Sequence, residues 1–229
     1  MKAWMRVRAL GDSASSLRRA AGTDHVREAL WTWVDRLAIG LDAVAAPRAS
    51  DPPARASRPC PVVDVRSYAR EGARVADVTG AQLDATLSDL PDLVTIMTGS
   101  SELVAGRASP EALAALVDHA VAQLRGVGCD VVLVSTLRAS SPLIPRRRVE
   151  RSAEFTAELW SIARERGATV VDAWSIAEVR ARPFGAIERL TLEPAGHRIL
   201  ARRAIEALGV PYRDGLPPPV SEAAGRLPG

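Results

Sequence analysis

Cysteine is scarce in this chain: Cys60 and Cys129 are the only two. They share no metal-type spacing, and two cysteines cannot staple a chain of 229 residues, so both are expected to be free thiols and a disulfide scaffold is excluded. Aromatic residues make up 4%. The basic residues are scattered, not gathered with stacking rings on one face, which argues against a nucleic-acid partner. Arg146-Arg147-Arg148 is the only basic run and reads as a solvated helix start. No apolar run reaches the 18 residues or so that a membrane span needs. Met1 to Ala9 alternates charged and apolar residues without the apolar stretch of a signal peptide, so the expected compartment is the cytoplasm. No Gly-x-Gly-x-x-Gly or phosphate-loop pattern follows an apolar run, and no cofactor is expected.

What remains is a chain long enough for one α/β core, with 47% hydrophobic and 25% charged residues. Five valine-rich runs are bounded by proline, glycine or charge: Met5 to Leu10, Val62 to Val65, Asp92 to Met97, Asp130 to Ser135 and Ala168 to Asp172. Short continuous apolar runs of this kind predict strands buried on both faces. Amphipathic stretches alternate with them: His25 to Val44, Val75 to Leu87, Pro110 to Arg125, Val149 to Arg166 and Pro194 to Leu208. Strand alternating with helix predicts a parallel sheet with right-handed crossovers and helices on both faces. A single domain is expected over residues 1–212. Within it, Ala45 to Pro61 holds five prolines and reads as a surface connection, and residues 213–229 read as a proline-rich tail.

The candidate chemistry sits at the end of the first run. Gly11-Asp12-Ser13 follows the strand directly, so Ser13 is expected at the carboxyl end of the sheet, where α/β proteins place their sites. Further blocks follow in order: Trp33-Val34-Asp35-Arg36-Leu37-Ala38, Gly72 after the second strand, Pro91-Asp92-Leu93-Val94-Thr95 with Gly99, and Pro194-Ala195-Gly196-His197-Arg198. With these blocks the chain resembles the GDSL-type SGNH hydrolases, in particular small actinobacterial members, over roughly residues 5 to 212. The resemblance implies a three-layer α/β/α sandwich around a flavodoxin-like five-stranded parallel sheet of order 2-1-3-4-5. It also implies hydrolysis or transfer of acyl groups from small esters or thioesters.

Carried over position by position, the resemblance makes Ser13 the nucleophile, with Asp12 fixing its turn. The amides of Ser13 and Gly72 become oxyanion donors. The family's Gly-x-Asn-Asp block reads Gly99-Ser100-Ser101-Glu102 here, so Ser101 stands for the asparagine. The family's Asp-x-x-His reads Glu188-Arg189-Leu190-Thr191, so the carboxylate gains a methylene and threonine stands for histidine. A serine hydroxyl is a poor nucleophile until a base takes its proton, which threonine cannot do near neutral pH. Of the three histidines, His25 reads as a helix start and His119 as a helix-face residue. His197 reads either as a residue capping or packing the last helix or as a displaced base. Asp12, Glu102 and Glu188 could gather three carboxyl groups, but Asp12 is expected to fix the serine turn, and no metal site is expected. Two readings follow: a serine ester hydrolase or acyl transferase with weak or rewired turnover, or a catalytically silent module that binds a small ligand or regulates.

Overall fold

The computed structural model describes residues 4–12, 32–45, 63–106, 108–138, 144–176, 182–183, 190–192 and 194–211. Its sheet is built where the apolar runs are longest. Strands β1 (Arg6–Gly11), β3 (Leu93–Met97) and β4 (Asp130–Val134) are buried almost throughout, as strands covered on both faces must be. β2 (Asp64–Ser67) and β5 (Thr169–Val171) form the edges and are more exposed. All pairings are parallel and the order is β2-β1-β3-β4-β5, the topology that the alternating pattern and the resemblance predict.

Alternation along each strand divides the core in two. Val7, Ala9, Leu93, Met97, Val132 and Val134 face one side, where α1 (Trp33–Ala45) and α7 (Pro194–Ala207) pack through Trp33, Leu37, Leu200 and Ile205. Leu10, Val94, Ile96, Val131 and Leu133 face the other. That side is covered by α2 (Val75–Asp77), α3 (Leu83–Ser88), α5 (Pro110–Gly126) and α6 (Arg146–Arg166). A five-residue π-type segment, Val78–Gln82, joins α2 to α3. The result is the expected three-layer sandwich. A separate antiparallel pair, β6 (Arg182–Pro183) and β7 (Leu190–Thr191), precedes α7.

One charge lies inside the sheet layers. Arg8 on β1 is 1% exposed. Its guanidinium bonds Asp89 Oδ2 and Asp64 Oδ2, each at 2.7 Å, and donates to the Val7 and Asp64 carbonyls. Burial opposes the charge, but these partners outweigh it and hold the pKa above the ordinary arginine value. Tyr68 completes the cluster by donating to Asp89 at 2.8 Å.

Several boundaries differ from expectation. β2 runs Asp64–Ser67 rather than Val62 to Val65, because its register is set by pairing with Arg6 to Ala9 of β1 and not by its own apolarity. α6 starts at Arg146, so the arginine run forms its first turn, with the Arg146 side chain 91% exposed. A short helix, α4 (Ser100–Ala105), was not expected. Residues 46–61 and 212–229, read as a proline-rich connection and a tail, lie outside the described residues, as do Cys60 and the stretch 25–31 expected to open α1. Cys129 is a buried free thiol whose Sγ donates to the Pro91 carbonyl at 2.8 Å; burial pushes its pKa up.

Candidate active site

The carboxyl end of β1 is held from three directions. Asp12, 3% exposed, donates its N–H to the Met97 carbonyl at 3.3 Å. The loop after β2 runs alongside, with Tyr68 N–H on the Ala9 carbonyl at 2.8 Å and Arg70 N–H on the Gly11 carbonyl at 3.2 Å. Gln82 bonds both backbone groups of Gly11. Ser13 itself lies outside the described residues. Gly72 follows Arg70 by two residues and has φ +77°, a conformation that favours glycine.

Gly99, at the end of β3, has φ +91° and starts α4. A Cβ there would sit 2.9 Å from Phe155 Cε1, so both dihedral and space call for glycine. The next three residues act differently. Ser100 Oγ accepts the Leu137 N–H at 3.2 Å and ties the end of β3 to the segment after β4. Ser101 is half-buried in the first turn of α4. Glu102 reaches across and accepts the Val75 N–H at 2.6 Å, so its carboxylate serves the first turn of α2.

On the opposite flank, Thr191 lies on β7 with its backbone paired to Arg182, and Glu188 lies outside the described residues. His197, in the first turn of α7, accepts the Trp33 N–H at Nδ1, 3.2 Å away. That N–H is one of the four that a helix start leaves without an internal partner. Thr32 and Asp35 form a capping box around the same turn: Asp35 Oδ2 accepts Thr32 N–H at 2.8 Å, and Thr32 Oγ1 accepts Asp35 N–H at 3.2 Å. His197 therefore caps α1, the first helix, rather than the last. Burial, with Arg36 nearby as a lesser cause, lowers its pKa to about 4. A neutral ring whose Nδ1 accepts a bond carries its proton on Nε2, so it has no free lone pair for a serine. His119 is exposed on α5 beside Asp118, and His25 lies outside the described residues.

The sequence reading missed several polar residues that shape this edge. Besides Gln82 and Ser100, Ser135 Oγ accepts the N–H groups of Ala173 and Trp174 and donates to Asp172 Oδ1. For Ser135 and Asp172 the one visible signal was a serine or aspartate at the carboxyl end of a valine run. Among the described residues no three His, Cys, Asp or Glu side chains gather into a metal-binding group. Among them, too, no helix is long and apolar enough to cross a membrane. A cleft of about 550 Å³, lined in part by Val171, Asp172, Arg203 and Glu206, opens beside β5 and α7, at the far edge of the sheet from β2.

A parallel sheet of order 2-1-3-4-5 inside an α/β/α sandwich, with a Gly-Asp-Ser sequence at the end of β1 and glycines after β2 and β3, is the fold of the SGNH hydrolases. The chain belongs to the GDSL-like lipase/acylhydrolase family, whose model matches residues 9–199. Solved structures share the fold at low identity. The crystal structure of TesA is 19% identical with a TM-score of 0.61, covering 89% of this chain and 98% of its own. A catalytic variant of Axe2, an acetylxylan esterase from Geobacillus stearothermophilus, is 18% identical with a TM-score of 0.65, covering 93% of this chain and 99% of its own. LAE5, an alpha/beta hydrolase enzyme from the metagenome of Lake Arreo, Spain, is 18% identical with a TM-score of 0.64, covering 92% and 97%. A search of curated protein sequences gives no match.

Proposed function

We propose that this chain carries an acyl-ester site around Ser13 in which turnover is weak, because threonine stands at 191 where the family's histidine would take the proton. In this assignment Ser13 is the nucleophile, the amides of Ser13 and Gly72 receive the oxyanion, and Ser101 offers a shorter third donor. Glu188 keeps a carboxylate with no imidazole to orient, and Thr191 occupies the place of the base. The observation that carries this is the engagement of His197: Nδ1 accepts the Trp33 N–H and the pKa is near 4. A proton leaving Ser13 then goes to water or hydroxide. Loss of the base in a serine triad costs about 10⁶-fold in kcat. Loss of an oxyanion side-chain donor costs about 10²–10³-fold, and the two do not simply multiply.

Axe2 is an acetylxylan esterase, which makes an acetyl ester the first substrate to test here. Hydrolysis of p-nitrophenyl acetate by the wild type is expected to be slow and nearly unchanged in Ser13→Ala. Brisk turnover abolished by Ser13→Ala would overturn the proposal and transfer the base role to His25 or His197, which single replacements would separate.

A second reading, a silent binding or regulatory module, is favoured by the bonding of Gly11 and the left-handed glycines at 72 and 99, which maintain a site frame whether or not chemistry follows. Saturable binding of short acyl esters, detected by ligand NMR with no product formed, would support it.

A further inference from the structure

β2 pairs with β1 only as far as Ala9↔Ser67, whereas β1 continues to Gly11, paired on its other side with Met97 of β3. The N–H and C=O of Gly11 point to the β2 side, where the loop after β2 runs on and gives the carbonyl the Arg70 N–H at 3.2 Å. The Gly11 N–H, at a buried sheet edge, still needs an acceptor. The Gln82 carboxamide supplies it: Oε1 accepts the Gly11 N–H at 2.9 Å, and Nε2 makes a second bond to the Gly11 carbonyl at 3.0 Å. One side chain thus stands in for the carbonyl that the continuing loop does not offer.

Gln82 is 5% exposed and closes the π-type segment Val78–Gln82. Such segments change the phase of the side chains that follow them and recur at functional sites. Val75 and Val78 of the same helical run point into the core beside Leu10, so a glutamine in that run is a polar residue at an otherwise apolar position.

We infer that Gln82 is a positioning residue for the nucleophile turn. By bonding the peptide units on both sides of Gly11 it fixes the direction in which the chain leaves the sheet at Asp12. The role rests on the Ser13 site proposed above. At neutral pH a carboxamide of this length both donates and accepts here. An ionised carboxylate would turn a lone pair toward the Gly11 carbonyl, and a thioether would fill the space with no hydrogen on offer.

The test uses the full chain with Gln82→Met and Gln82→Glu, each beside the wild type at every pH. One readout is hydrogen exchange of the Gly11 amide, referenced to the amides of β3. The other is the rate at which a fluorophosphonate probe labels Ser13. In Gln82→Met, exchange at Gly11 is expected to quicken at least about tenfold relative to β3. Labelling is expected to slow by about 10²-fold, the scale of loss when a reacting group shifts by about 1 Å. In Gln82→Glu, both readouts should approach wild type at low pH, where the protonated carboxyl can donate as the amide does. They should depart from it as pH rises through that carboxyl's pKa, which burial raises. A residue that merely fills space would produce no such return. Unchanged Gly11 exchange and labelling in Gln82→Met, or a pH-independent Gln82→Glu, would overturn the assignment. Absence of labelling at Ser13 in the wild type agrees with a serine that lacks a base, and Gly11 exchange alone then decides whether Gln82 holds the turn.

Discussion

The two flanks of the sheet's carboxyl edge are built on different terms. At the ends of β1, β2 and β3, the chain is fixed by bonds to its own backbone: Gln82 on Gly11, Arg70 on Gly11, Asp12 on Met97, Glu102 on Val75, with Gly72 and Gly99 in left-handed conformations. At β7 and α7, the one described imidazole is spent on the first turn of α1, across 164 residues of sequence. Under the proposed assignment, the first flank is the part of the site that the fold itself requires. The second is the part that only chemistry requires. A chain can keep one and change the other without unfolding, because capping α1 asks of His197 only an acceptor, whereas catalysis asks for a base.

The largest effect should come from rebuilding the second flank together with the one altered donor of the first. Under the proposed assignment, Thr191→His returns a base to Ser13, and adding Glu188→Asp and Ser101→Asn returns its orienter and the third oxyanion donor. Since triad members act as a unit, the single change should recover less than the triple one. We expect the triple variant to raise Ser13-dependent hydrolysis of p-nitrophenyl acetate by about 10²-fold or more, a fraction of the roughly 10⁶-fold that a base contributes elsewhere. If the triple variant stays at the wild-type rate, the first flank is not the intact half of a site, and the contrast breaks.

Next in size is a difference within the first flank. Gly99→Ala forces a side chain into a left-handed conformation and against Phe155 at 2.9 Å. Strain of about 1–2 kcal/mol and overpacking of about 1–3 kcal/mol should together cost about 3 kcal/mol or more. Gly72→Ala meets no atom within 4 Å and carries the strain alone, about 1 kcal/mol. Urea denaturation of the two variants measures the gap. Equal losses would mean that Phe155 moves aside freely.

How much of this was legible in the sequence follows the same division. The strands were readable because each central one is a run of valine and leucine buried on both faces; their regular alternation with helices pointed to a parallel sheet, and the strand order came from the family resemblance. The glycines at 72 and 99 were readable as blocks, and both prove to hold positive φ. The position of β2 was not, since an exposed edge strand takes its register from its neighbour. Nor was α4, whose six residues are too few to show a period. Gln82 and His197 were opaque for a different reason: each acts on a backbone group far away in sequence, and a local pattern holds no trace of the partner. For Gln82 the only hint in the sequence is a glutamine on an apolar stripe.

His197 offers a smaller, pH-dependent test of the second flank. Burial lowers its pKa from 6.5 to about 4, so the unfolded chain takes up this proton before the folded one does. Its contribution to stability is therefore complete above about pH 6.5, declines as pH falls from there to about 4, and is lost below. A gap of that width corresponds to at most about 3 kcal/mol, and partial exposure of the ring brings it to roughly 2 kcal/mol. His197→Gln should flatten this part of the denaturation profile relative to wild type between pH 7 and pH 4.5. If the two profiles run parallel, the ring is not held neutral, and its availability as a base must be reopened.

The smallest expected effect concerns Glu102, which occupies the last place of the Gly99-Ser100-Ser101-Glu102 block. Its carboxylate accepts the Val75 N–H at 2.6 Å at the start of α2, where a negative charge meets the positive end of the helical run and a stranded N–H together. Glu102→Gln keeps an acceptor and loses the charge, which should cost about 0.5 kcal/mol, while Glu102→Ala loses both and should cost about 1 kcal/mol. Because Val75 opens the run that ends at Gln82, the alanine variant should also speed hydrogen exchange at Gly11, by less than Gln82→Met does. A stability loss with Gly11 exchange unchanged would show that the bonds of the first flank are independent props. Faster exchange at Gly11 would show that they form one connected frame, with the π-type segment carrying the strain from α4 to the nucleophile strand.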